Sequence, residues 1–313
     1  MSVKVALIGD EDWALGIINM FLKKHLRKEG YFARKFDWRS GDQVWEAVKW
    51  CDVFIAEVSM YEDFIRHVDK QYGKKGMYVW HALADIPVCP LEESNGRKHF
   101  TARIKHEERP ELREHFFSTT EGIKQSVKDY YGLDVGVLPV GIDKDFWTKQ
   151  DIGSIKRIGH VYCKKPKGHE YDLVKRPEMF SEIVKMSGLQ GGTVFGKNNL
   201  TGSYVYKGFD AVVNTSTHEG LPLPFLECAA SKIPFISTRV GIVPQYESVK
   251  KFDTVEEAVE ILKELNSDEK VLRKYVNDVY DELVPALSYE RLIKEYYVPA
   301  IDRIVKSNKG ASS

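Results

Sequence analysis

The feature that most constrains the fold is an alternation of short apolar runs with amphipathic helical stretches, carried through the chain twice. Residues 3–8 form an apolar run that ends in Gly9, and residues 13–28 follow with apolar positions at helical spacing. Further strands are expected at 51–58, at 77–80, around Phe116 and at 135–139, with helices at 42–50, 61–72 and 120–131. Strands alternating with helices imply a doubly wound parallel sheet. Residues 148–154 are polar and contain Gly153, the composition of a linker, and the alternation then restarts. The second series predicts strands at 155–162, 193–195, 210–214 and 234–237. Its helices are expected at 176–187, 222–231, Val255–Leu265, 268–283 and 288–307. The expected organisation is a Rossmann-like domain over residues 1–147, a second over 148–287, and a crossover helix with a loose tail over 288–313. At 313 residues, each half has enough chain to bury a core. Ligands of such paired sheets bind at the carboxyl ends of the strands, here expected in a cleft between the halves.

Composition narrows the function classes. Lys and Arg number 46, as do Asp and Glu, so the chain as a whole is neither a basic nucleic-acid coat nor an acidic tail. No run approaches the roughly 18 apolar residues of a membrane span, and residues 1–9 are too short and mixed for a signal peptide, so a cytoplasmic location is expected. Cys51, Cys89, Cys163 and Cys228 are scattered, which suggests neither a disulfide framework nor a zinc site, and Cys228 is expected to be buried. One local excess of cations stands out at residues 97–106, RKHFTARIKH, with Arg97, Lys98 and Arg103. It reads either as a solvated helix face or as a basic loop that meets an anionic acceptor.

The stretch that carries chemistry is residues 210–245, DAVVNTSTHEGLPLPFLECAASKIPFISTRVGIVPQ. A buried strand ends in a polar turn through Ser216, Thr217, His218, Glu219 and Gly220. A helix follows whose first turn holds Pro222 and Pro224, tolerated there because those N–H groups lack intrahelical partners. Such a helix mouth offers free amides and a positive dipole end to an anion such as a diphosphate. Glu219 and Glu227 flank it, and a carboxylate accepts hydrogen bonds from vicinal hydroxyls. Two carboxylates around a phosphate-binding helix end suit a nucleotide sugar, although glutamates also serve helices as solvated residues.

Glu219 and Glu227, with His218-Glu219-Gly220-Leu221-Pro222, resemble the E-x7-E signature of the retaining GT-B glycosyltransferases of the large group-one, glycogen-synthase-like family. Residues 137–146, VLPVGIDKDF, are similar to that family's connection into its second domain. Phe117-Ser118 before a helix, and residues 79–87, VWHALADIP, match two further elements. The resemblance implies a GT-B fold and transfer of a hexosyl or pentosyl group from a nucleotide-diphosphate sugar to an acceptor hydroxyl. It implies retained anomeric configuration, no metal and no other cofactor. By the same resemblance Glu219 is catalytic and contacts the donor sugar, Glu227 binds the ribose, and amides near Gly220-Leu221 hold the diphosphate, with Pro222 also on the donor side. Lys175 and Arg176 supply cations, with Lys164, Lys165 and Lys167 as rivals, and Gly16 belongs to an incomplete Gly-rich turn on the donor side. His81 is the candidate catalytic residue of the N-terminal half, and Asp85 faces the acceptor with Arg97, Lys98 and Arg103.

The match is imperfect. His160 stands where the family commonly has Arg, Val140 replaces a common Asn, and Lys232 occupies a position usually held by Gly. The chain between Phe195-Gly196 and Asp210 is short where the base is ordinarily recognised. These departures admit an alternative, a catalytically reduced GT-B protein that binds nucleotide or glycan without turnover. A nicotinamide oxidoreductase fits poorly, since residues 5–16 lack the tight Gly-x-Gly-x-x-Gly spacing. The Asp-x-Asp patterns at Asp10 and Asp143 read as caps rather than metal ligands. The acceptor is left open: a glycan, an anionic lipid headgroup or modified-base DNA could meet residues 97–106.

Overall fold

A computed structural model describes residues 2–10, 14–57, 75–81, 114–161, 174–194 and 206–310. The chain forms two units, residues 1–141 with 289–313, and residues 142–288.

Unit 1 is built on β1 (Lys4–Gly9), α1 (Ala14–Lys28), β2 (Phe32–Asp37), α2 (Gly41–Trp50), β3 (Val53–Glu57), β4 (Gly76–Trp80), β5 (Phe116–Ser118), α3 (Glu121–Tyr131) and β6 (Gly136–Val137). Its six strands run in the order β2-β1-β3-β4-β5-β6, every pair parallel. The central strands are buried on both faces and read as continuous apolar runs for that reason. Ala6, Ile8, Phe54, Tyr78 and Phe116 pack with Ile123 and Val127 of α3 into one core. Ser40 caps α2 and Thr120 caps α3 through side-chain acceptance of Gln43 and Ile123 N–H.

β2 is an element the periodicity does not predict. Its sequence, FARKFD, puts Arg34 and Lys35 in the middle of the strand, a pattern tolerated because β2 is an edge strand with solvent beside it.

Unit 2 holds β7 (Arg157–Val161), α4 (Pro177–Ser187), β8 (Gln190–Val194), β9 (Ala211–Asn214), α5 (Leu223–Ser231), β10 (Phe235–Ser237), α6 (Val255–Leu265) and α7 (Glu269–Ala286). The strand order is β10-β9-β7-β8, again all parallel. A capping box between Thr254 and Glu257 starts α6, and Asp268 caps α7. Lys232 ends α5 in the left-handed conformation, φ 56° and ψ 39°. A side chain with a Cβ costs about 1 kcal/mol there relative to glycine. Cys51 and Cys228 are both buried free thiols, while Cys89 and Cys163 lie outside the described residues.

The chain then returns to unit 1 through α8 (Tyr289–Leu292), a π-helical turn at Ile293–Tyr297 and α9 (Val298–Gly310). The expected single helix is interrupted because Pro299 has no N–H to give to Glu295 and its ring crowds that carbonyl. Val298 N–H bonds Ile293 O instead, the wider spacing of a π turn. Tyr289 stacks on His25 of α1 at 5.4 Å, and Tyr31 donates to Asp302 at 2.9 Å.

Candidate functional site

In unit 2 the strand order reverses between β7 and β9, and ligand-binding residues of open α/β sheets gather at the carboxyl ends of the strands flanking such a point. β9 ends at Asn214, and the chain runs through Thr215 to Pro222 into α5. β7 brings His160, and the segment before α4 brings Lys175 and Arg176.

These segments are laced together mainly through backbone groups. Thr217 N–H donates to Val174 O at 2.8 Å, Thr215 Oγ1 donates to Lys175 O at 2.6 Å, and Arg176 Nε donates to Thr215 O at 2.6 Å. Backbone ties hold Lys175 beside the turn whatever solvent does at its charged end. Lys175 Nζ forms an ion pair with Glu219 Oε1, both side chains largely covered. Ser216 Oγ lies 2.7 Å from the same Glu219 oxygen and 2.8 Å from Asn214 Oδ1, and Asn214 Nδ2 donates to Ser237 Oγ at 3.0 Å. The Glu219 carboxylate is therefore oriented by a cation and a hydroxyl chain anchored in two strands. A charge-assisted contact of this kind is stronger than a neutral one. Arg176 itself sits at φ 46°, one of two non-glycine residues with positive φ among the described residues. Its guanidinium has no ion-pair partner among the described residues.

The turn is also shaped from outside. Gly241 has φ +56°, and a Cβ built on it would stand 2.6 Å from Gly220 O and 3.1 Å from Glu219 O. Only glycine lets the chain after β10 lie that close to the turn. Among the described residues nothing accepts the N–H of Gly220 or of Leu221, and Pro222 stands at the N-cap of α5 without a side-chain cap. The helix mouth thus presents amides and the positive end of its dipole.

Glu227 lives in a different medium. It is buried on α5, and the Tyr206 hydroxyl donates to Oε2. Burial pushes its carboxyl up to about 7, with the Tyr206 hydrogen bond working against the rise. Glu219 and Glu227 hang from one connection, the first paired with a cation near solvent, the second dry.

His160 supplies no charge. Burial, and then the neighbouring Lys175, lower it to about 4, so the ring is neutral at pH 7. The Thr215 hydroxyl proton is committed to Lys175 O, so His160 Nε2–H donates to Thr215 Oγ1 at 3.1 Å, while the ring stacks on Phe180 at 4.9 Å. The residue standing where the resembled family commonly has Arg thus orients Thr215.

Gly16 and His81 belong to unit 1. Gly16 N–H donates to Asp10 Oδ1 at 3.2 Å, and its carbonyl accepts from Lys35. His81 directly follows β4; its Nδ1 is buried with no hydrogen-bond partner among the described residues, and burial lowers the ring to about 4. Asp85, Arg97, Lys98 and Arg103 lie outside the described residues, as do Lys164, Lys165 and Lys167. Asp143 accepts from Asp145 N–H at 3.2 Å, a local turn, and no described group of three His, Cys, Asp or Glu could hold a metal ion. Tyr206 and Gly241 were not legible as site residues: Tyr206 reaches Glu227 on α5, and Gly241 the turn, each from a distant stretch with no spacing rule to announce it.

By sequence, no protein-family profile and no curated protein matches the chain. Solved structures do. Sucrose-phosphate synthase from Thermosynechococcus elongatus superposes with a TM-score of 0.67 at 11% identity, covering 99% of this chain and 100% of that one. The catalytic domain of starch synthase IV from Arabidopsis thaliana, bound to ADP and acarbose, gives 0.60 at 10% identity over 98% and 100%. An S. aureus TarM mutant in complex with fondaparinux, alpha-GlcNAc-glycerol and UDP gives 0.58 at 12% identity over 80% of this chain and 55% of its own. This chain thus spans about half the length of TarM. Two parallel α/β units, each with a reversal in strand order, and full-length superposition on these structures establish that the chain is built on the GT-B glycosyltransferase fold.

Proposed function

We propose that this protein is a retaining glycosyltransferase that takes a sugar from a nucleotide-diphosphate donor held in unit 2 and passes it to an acceptor hydroxyl. The observation that carries the reading is the Lys175–Glu219 pair set beside two unpartnered amides at the mouth of α5. Bond cleavage leaves negative charge on a diphosphate as the sugar becomes cation-like. Fixed amides and cations stabilise that charge without reorganising. Gly220 and Leu221 N–H with Lys175 and Arg176 serve the diphosphate, Glu219 the sugar hydroxyls and Glu227 the ribose; Pro222 keeps the helix mouth open. Two structural neighbours are bound to nucleoside diphosphates, UDP in TarM and ADP in starch synthase IV, which supports a donor of that class. In the same proposal the transfer needs no metal, Gly16 serves the donor, His81 is catalytic, and Asp85, Arg97, Lys98 and Arg103 serve the acceptor.

The test is a panel of nucleotide sugars, read by release of nucleoside diphosphate and by thermal shift, with and without EDTA. Anomeric configuration of the product is read by NMR. Glu219→Ala is expected to lose transfer by two orders of magnitude or more while staying folded, because the donor sugar loses an oriented acceptor. No thermal response to any donor refutes the proposal. Binding without product under every acceptor condition supports the non-catalytic alternative instead.

A further inference from the structure

The edge of the unit 1 sheet carries a surface that the donor site does not use. Between positions 23 and 49 there are eight Lys or Arg against four Asp or Glu, in a chain whose charges balance overall. α1 brings Lys23 and Arg27 to this rim, and β2 brings Arg34 and Lys35. The four converge: after burial, the charges of Arg27, Lys35 and Arg34 lower the Lys23 ammonium below its ordinary value. Aromatic rings are interleaved with the cations. Arg34 lies over Phe36 at 5.0 Å and over Trp50 at 5.1 Å, Arg27 over Phe32 at 6.0 Å, and Lys49 over Trp45 at 5.7 Å. Among the described residues, three of the five large hydrophobic side chains left exposed belong to this rim: Phe32 at 46%, Trp38 at 44% and Trp45 at 38%.

Charges on an edge strand guard it against strand addition, which accounts for Arg34 and Lys35. It does not account for exposed Phe32 at one end of β2 and Trp38 just beyond the other.

We infer that this rim is a docking surface for an anionic lipid membrane, lying in the headgroup layer with Phe32, Trp38 and Trp45 as interfacial anchors and the surrounding cations facing acidic headgroups. Rings with a polar or cationic rim favour the level where hydrocarbon meets headgroups, and basic residues there gain from negative surface potential. The proposed association is peripheral, through side chains of the rim; no helix among the described residues is long and apolar enough to cross a membrane. Two other occupants fit less well. A two-fold copy of the chain would bring the cation cluster against itself. Nucleic acid would need open ring faces for stacking, and exposed Phe32 and part-buried Trp50 already carry a guanidinium over one face. The inference is independent of the donor site and stands or falls without it.

The experiment uses the full chain and vesicle flotation. Phosphatidylcholine vesicles are compared with vesicles containing about 30% phosphatidylglycerol, over a salt series, with tryptophan emission as a second readout. Expected are binding to the anionic vesicles alone, a blue shift on binding, and loss of binding as salt rises. Trp38→Ser with Trp45→Ser is expected to remove most of the blue shift. Arg27→Glu and Lys23→Glu are each expected to weaken binding by about fivefold or more. Equal binding to neutral vesicles, no binding to anionic ones, or wild-type binding by the substituted proteins overturns the proposal. So does retardation of single-stranded DNA in place of vesicle binding, or a dimer that the Trp38→Ser, Trp45→Ser protein fails to form.

Discussion

Glu227 offers the most decisive test of the energetics at the site, through Glu227→Gln. In the unfolded chain this carboxyl ionises near its ordinary value of 4.5; in the folded protein burial pushes it up to about 7. Between those values the native state holds a proton that the unfolded state has released, so stability from this residue falls as pH rises and is flat above about 7. At about 1.4 kcal/mol for each pH unit, the total is about 3 kcal/mol. Glutamine keeps the volume and an oxygen to accept from Tyr206, but never charges. The variant is therefore expected to match wild type near pH 4.5 and to exceed it by about 3 kcal/mol at pH 8, or about 6–12 °C in the melting of a unit of this size. His160 acts in the opposite sense: its pKa is lowered to about 4, so the unfolded state binds the extra proton between there and 6.5 and stability rises with pH. The two nearly cancel in the wild-type profile, and only the difference between variant and wild type isolates Glu227. The assay is thermal unfolding by circular dichroism and calorimetry at pH 5, 6, 7 and 8, alongside nucleoside-diphosphate binding, which the variant is expected to lose. A difference in stability that stays flat across that range refutes the claim that this carboxyl is held dry.

Tyr206→Phe removes the donor that opposes the rise in Glu227, so a loss of about 1–2 kcal/mol is expected at pH 8 and less at pH 5, read in the same melts. Gly241→Ala forces a Cβ to 2.6 Å from Gly220 O at a left-handed φ; a loss of about 1–3 kcal/mol is expected, with weakened nucleotide binding measured by calorimetry. At the end of α5, Lys232→Gly is expected to be more stable than Lys232→Ala by about 1 kcal/mol in denaturant unfolding, because both lose the Asn277 hydrogen bond and the Tyr280 contact but only alanine keeps the left-handed cost. Thr215→Val removes the hydroxyl that bonds Lys175 O and His160 Nε2; a loss of about 1–3 kcal/mol and reduced nucleotide affinity are expected, and unchanged affinity would show that Thr215 does not place Lys175.

Much of the fold was legible because it is written in local periodicity. Each apolar run bounded by glycine or polar residues became a parallel strand, and Thr120, Thr254 and Asp268 stand at the helix caps their residue types favour. β2 escaped notice because an edge strand needs no continuous apolar run, and the π turn before α9 because the helical spacing of apolar residues continues through 288–307 across Pro299.

What the residues determined by themselves is the parallel two-part alternation, the helix mouth after Glu219 and the left-handed demand placed on Lys232. All of these are set by neighbours within a few positions. Tertiary structure alone decided that Lys175 meets Glu219 across 44 residues, that Tyr206 covers Glu227, that Gly241 closes on the turn and that His160 is neutral. A group's partner and its exposure to water depend on which strands lie side by side, and strand order leaves no trace in local spacing.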